Sequence, residues 1–131
     1  MNKLINGTGI HLKNVVVLGF FVLLLDALYI SIFGSAFTKM IEEIQNSKFK
    51  INILGAIFTY ILIILGIYYF IILKKMSMMD AFLLGFFSYG IYDLTSLSLF
   101  KTWKPQLVIV DTVWGGILFM TSTYLYSLIV R

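Results

Sequence analysis

Four long apolar runs separated by short polar breaks organise the chain. The first extends from about Asn14 to Phe37 and is interrupted by Asp26. The second covers 51–73 without a charge and is bracketed by Lys50 and by Lys74 and Lys75. The third covers about 77–100 and holds Asp80 and Asp93; the fourth covers 105–130 and holds Asp111. A helix rising ~1.5 Å per residue needs about 20 mostly apolar residues to cross a hydrocarbon core, and each run is long enough. A barrel strand needs only ~10 alternating residues, so these runs predict helices. Pro105 suits a helical first turn, where its missing N–H does no harm. The pattern predicts an all-α polytopic membrane protein, a four-transmembrane-helix bundle with up-down topology. Residues 1–131 form a single membrane domain with both termini on one side.

The connections are short. Residues 38–50 make the one extended polar stretch, with Phe37, Met40, Ile41 and Ile44 at helical spacing. Two readings stand side by side: an amphipathic connector in the membrane interface, or an extension of the first span. Lys74-Lys75 and Lys101-Thr102-Trp103-Lys104 read as tight turns, with Trp103 as an interfacial anchor. Gly34-Ser35-Ala36 resembles a signal cleavage site. The preceding run is too long for a signal core and contains an aspartate, so a retained span is expected.

Composition agrees with this picture. Of 131 residues, 60% are hydrophobic and 12% charged, and the mean hydropathy is +0.98. A soluble domain is roughly 45–50% apolar and about 25% charged, and one this small has too little interior to hide the excess. The net charge of +4 comes from cations at the ends of apolar runs, so membrane lipid is the expected partner and nucleic acid is excluded. The cations divide evenly between the two faces: Lys3, Lys13, Lys74, Lys75 and Arg131 against Lys39, Lys48, Lys50, Lys101 and Lys104. The positive-inside rule therefore assigns no orientation. The absence of cysteine excludes thiol chemistry, and one histidine, His11, cannot build a histidine metal site. No cofactor is required by the sequence.

The aspartates carry the candidate chemistry. An ionisable group within a span costs about 2.5–3.5 kcal/mol on insertion scales and marks a functional candidate. Asp26 lies about 12 residues into the first helix and Asp93 about 16 into the third, roughly 18 and 24 Å from the terminal face. Asp111 lies about 6 residues, or roughly 9 Å, from the opposite face. In a core ~30 Å thick the three therefore reach nearly one level. Helical spacing puts Tyr29 on the face of Asp26, Tyr89 and Ser96 on that of Asp93, and Trp114 and Gly115 on that of Asp111. Tyr92 and Thr95 lie nearby but rotated.

These hydroxyls and the indole can donate to buried carboxylates. Gly85, Ser88 and Gly90 allow a neighbouring helix to approach closely. The second helix, uncharged and aliphatic, is expected outside the site. Three acids at close quarters cannot all stay ionised, so a proton, a cation or a lysine is expected among them, with Lys101 and Lys104 at the rim. No confident metal set is present; any metal would fall to Asp26, Asp93 and Asp111. Asp80 reads as a helix-start residue.

Four segments resemble a known family. Leu25-Asp26-Ala27-Leu28-Tyr29 resembles a Leu-Asp-Ala-Leu-Trp/Tyr motif, and Tyr92-Asp93-Leu94-Thr95-Ser96-Leu97 a Tyr-Asp-Leu-Thr-Asn-Leu motif. Trp103-Lys104-Pro105 resembles a Trp-Pro turn, and Val110-Asp111-Thr112-Val113-Trp114-Gly115 a Val-Asp-x-x-Trp-Gly motif. Together, over about Val15 to Leu128, they are similar to a family of small predicted membrane proteins catalogued as a domain of unknown function. Ser96 in place of Asn, and Lys104 between Trp103 and Pro105, depart from its pattern without removing an aspartate. The resemblance implies the four-helix fold and the aspartates and brings no reaction.

Function then divides into three classes. The first is a protein binding a proton, a cation or a small polar group at a buried three-aspartate cluster, with a homo-oligomer or another membrane protein as possible company. The second is a membrane-embedded lipid-modifying enzyme, against which stands the lack of a phosphate loop, HExxH, GxSxG or any second catalytic set. The third is a structural or assembly protein whose aspartates bond helices together.

Overall fold

A computed structural model describes residues 11–130. Four helices cross in alternating directions: α1 (Leu12–Gln45), α2 (Ile53–Ile67, continued by π-wound turns over Tyr68–Leu73), α3 (Met78–Leu99) and α4 (Pro105–Ile129). All four are long and apolar enough to span a membrane, and no strand occurs among the described residues. Lys3 and Arg131, which enter the cation count, lie outside the described residues.

Local chemistry sets the helix ends. Asn52 caps α2 by accepting from the Gly55 N–H at 3.1 Å. Ser77 and Asp80 form a reciprocal capping box on α3, so Asp80 satisfies orphan backbone donors. Pro105 occupies the first turn of α4. Asn46 ends α1 in the left-handed conformation, φ 53°, which an Asn tolerates better than most residues.

Residues 38–45 continue α1 instead of starting a separate interfacial helix. At ~1.5 Å per residue α1 is far longer than a ~30 Å core, and its last turns fold over the non-terminal end of the bundle. Met40 and Trp103 are buried there with Val108, and Phe37, Ile41 and Ile44 pack on them. The apolar stripe thus covers protein, not lipid. Trp103, expected as an interfacial anchor, is 5% exposed because this extension lies over it. The Lys104 N–H reaches the Met40 sulfur at 3.2 Å, tying the α3–α4 turn to α1.

The largest helix contact is α3 on α4, followed by α1 on α4 and α1 on α2; α2 and α3 make no comparable contact. The bundle is therefore a curved row, α3–α4–α1–α2, open between its ends. The tight α3–α4 seam depends on glycine. A Cβ on Gly85 would run into the Gly115 carbonyl, and one on Gly115 would lie 2.6 Å from the Gly85 carbonyl. A Cβ on Gly116 would meet the Phe82 ring at 2.6 Å. Small residues let helix backbones approach in lipid, where packing must replace the hydrophobic drive. Toward the terminal face an apolar core joins all four helices through Leu18, Ile67, Ile71, Ala81, Leu118 and Phe119. The aspartates lie between this core and the Met40–Trp103 cap.

Adding a side chain at the seam should separate α3 from α4. Gly115→Val is expected to lower stability in detergent micelles by about 1–3 kcal/mol, the usual cost of overpacking. Gly66→Val should cost less, since a Cβ at Gly66 meets nothing within 4 Å. Equal losses for the two variants, measured by thermal unfolding, would contradict the close-seam account.

Candidate functional site

Two bonds of opposite sense join α1 to α4. Asp26 on α1 accepts from the Trp114 indole on α4 at 3.0 Å. Asp111 on α4 accepts from the Tyr29 hydroxyl on α1 at 2.9 Å. The Tyr29 and Trp114 rings stack between them, centroids 4.8 Å apart and planes within 4°. Each helix thus supplies one acid and one donor, which is what two buried carboxylates need in a medium without water. The aromatic stack holds both donors in place.

The second oxygen of Asp26 accepts from the Tyr60 hydroxyl on α2. Expected outside the site, α2 instead supplies one of its donors. The signal was available: Tyr60 lies about 7 residues into α2, roughly 10 Å, close to the level of Asp111. An uncharged helix can still serve an acid, because a tyrosine hydroxyl donates to a carboxylate.

Asp93 differs from the other two acids. It is 0% exposed, and neither carboxylate oxygen has a hydrogen-bond partner. It lies beside Asp111 and next to the Trp103 indole. The Trp103 indole nitrogen and the Thr112 hydroxyl are also buried without partners. The site therefore contains one acid saturated with donors, Asp26, one with a single donor, Asp111, and one with none.

The remaining predicted residues divide. Tyr89 points inward, edge-on to Phe119 with centroids 6.1 Å apart, and lies in the electrostatic reach of Asp26, Asp111, Tyr29 and Tyr60. Tyr92 is 62% exposed and touches Trp103 edge-on. Thr95 is exposed and turned from the cluster, as its rotation on α3 requires; Ser96 is the buried neighbour on the Asp93 face. Lys101 and Lys104 are exposed, and no ion pair joins either to the three aspartates among the described residues. Nor do Asp26, Asp93 and Asp111 close into a metal-ligand set: no group of three or more acids, histidines or cysteines is so placed among the described residues. Both Asp26 oxygens accept hydrogen bonds, from Trp114 and Tyr60.

Two cavities meet at Asp111. One, of about 400 Å³, lies under the cap and is lined by Asp26, Tyr29, Tyr89, Tyr92, Trp103 and Asp111 among others. The other, of about 580 Å³, is the groove left between α2 and α3, and it shares Tyr89, Tyr92 and Asp111 with the first.

A family model described as predicted membrane protein (DUF2177) matches residues 11–128. No curated protein and no solved structure matches the chain.

The Tyr60–Asp26 bond is testable by a double-mutant cycle. Tyr60→Phe should destabilise the protein by ~0.6–1.7 kcal/mol, the range of side-chain hydrogen bonds in membranes. In an Asp26→Ala background the same change should cost little. Strict additivity in unfolding free energy would mean that the bond contributes nothing.

Proposed function

The chain belongs to this family of predicted membrane proteins, and we propose that it binds a proton between Asp93 and Asp111, at the buried end of a cavity that also admits a small cation or polar group. One observation carries the reading: Asp93 is wholly buried, has no donor, and lies beside a second carboxylate. Two adjacent carboxylates in low dielectric cannot both remain charged without a compensating cation. A proton is the smallest such cation, and it lets one acid donate to the other.

The roles then separate by solvation. Asp26, saturated by Trp114 and Tyr60, is a positioning residue that fixes α1, α2 and α4 around the pair. Tyr29 orients Asp111. Asp111, which lines both cavities, is the member of the pair in contact with whatever enters. A purely structural role fits Asp26 well but leaves Asp93 unaccounted for. An acid bonding helices together would have donors, as Asp26 does. A lipid-modifying enzyme would need a second reacting group, and beside the carboxylates the cavity walls offer only the hydroxyls of Tyr, Ser and Thr and the Trp103 indole.

A proton held between two acids has a direct signature, the infrared carbonyl stretch of a protonated carboxylic acid. Wild-type protein in nanodiscs at neutral pH should show this band, shifted in heavy water. The band should vanish in Asp93→Asn/Asp111→Asn, while the variant stays folded, because Asn removes the charge that the fold has to neutralise. A wild-type spectrum without the band, or a band that survives in the double variant, would defeat the reading.

A further inference from the structure

The larger cavity has features that the proton reading does not use. It is the open side of the helix row, between α2 and α3, and its wall is apolar along Leu62, Gly66, Phe70, Leu84 and Phe119. Its polar end is Asp111 with Tyr89 and Tyr92, the residues it shares with the chamber under the cap. Along α2 it extends from Thr59 to Phe70, roughly 16 Å at the helical rise. That is about the reach of an extended dodecyl chain. Its volume of about 580 Å³ falls within the roughly 300–1,000 Å³ of ligand-binding clefts.

The charge of the polar end selects the occupant. Tyr89, Tyr92 and Ser88 line it from α3, Thr59 from α2 and Asp111 from α4; Asp26 and Tyr29 line the adjoining chamber, and Asp93 lies beside Asp111. Tyr60, the next residue of α2, is bound to Asp26, and no lysine or arginine lines either cavity. An anionic head group would meet the Asp111 carboxylate with no cation to offset it, only neutral hydroxyls. An ammonium group would meet carboxylates and aromatic faces, the two partners that recognise it.

We propose that the α2–α3 groove binds a single-chain amphiphile with an ammonium head, the head at Asp111 and the chain along α2 toward the terminal face. The proposal rests on the proton reading for one feature: the ammonium enters as the proton of the Asp93–Asp111 pair leaves, so the net charge of the site stays constant. The amphiphile reaches the site sideways from the bilayer, since the groove lies in the gap that α2 and α3 leave open.

The test uses dodecyltrimethylammonium, its uncharged counterpart dodecanol and the chainless tetramethylammonium, added to the full chain in maltoside micelles. Binding is read from tryptophan fluorescence, since Trp103 lines the chamber, and proton release from a pH indicator in weak buffer. Dodecyltrimethylammonium should bind saturably and release protons; dodecanol should bind at least about tenfold more weakly, the factor set by one lost charge-assisted contact. Gly66→Leu fills the groove at a position where a Cβ meets nothing within 4 Å. It should weaken dodecyltrimethylammonium about tenfold, as loss of a few buried methylenes implies, and leave tetramethylammonium unchanged. Leu62→Trp, on the exposed rim, is the second groove variant should Gly66→Leu misfold. Asp111→Asn should abolish binding of both ammonium compounds.

Equal binding of dodecanol, or full dodecyltrimethylammonium affinity in both groove variants, would overturn the groove assignment. Ammonium binding without proton release would overturn the exchange. Both failures differ from loss of the infrared acid band, which strikes the proton reading itself.

Discussion

Holding carboxylates inside a membrane span is the constraint on which this bundle depends. A carboxylate in hydrocarbon must find donors, lose its charge or hold a cation. The chain uses the first solution for Asp26, through Trp114 and Tyr60, and in part for Asp111, through Tyr29. Because the donors come from other helices, satisfying the acids also sets the arrangement. Asp26 cannot be saturated unless α1, α2 and α4 lie together at one level. The Tyr29–Trp114 stack then fixes the rotation of α1 against α4.

Asp93 follows a different solution, and its helix explains why. α3 packs on α4 through close backbone approach at Gly85 and Gly115. The close seam brings Asp93 against Asp111, with the Trp103 indole beside it. What remains is an acid pair that the proposed function balances with a proton. The same seam draws α3 away from α2 and leaves the lateral groove. One packing choice therefore produces both the unpartnered acid and the opening beside it.

The cap shows the same economy at the non-terminal end. α1 continues past its membrane span, and its apolar stripe covers Trp103 and Val108. Glu42 then accepts from the Phe49 N–H at 2.7 Å, folding the connector back on the helix. This chain segment walls one side of the chamber below, contributing Phe37, Thr38 and Ile41.

Much of the molecule was legible in the sequence. Run length and hydropathy alone dictate four membrane helices, because a polar backbone in lipid has no alternative to the helix for segments of this size. Depth counting put Asp26, Asp93 and Asp111 at one level, because helical rise is constant and the charged ends mark the faces. The helix-start roles of Asp80 and Pro105 follow from residue type. Spacing along one helix cannot, however, say which helices are neighbours. Tyr29 shares a face with Asp26, yet it bonds to Asp111, and Tyr60 was overlooked because its value lies in another helix's acid. Trp103 was read as facing the interface because the sequence does not reveal that α1 folds over it. The positions of donors, the empty shell of Asp93 and the gap between α2 and α3 all depend on helix rotation and pairing, and tertiary packing alone decides those, since in lipid many rotations bury equal apolar surface and only the polar groups distinguish them.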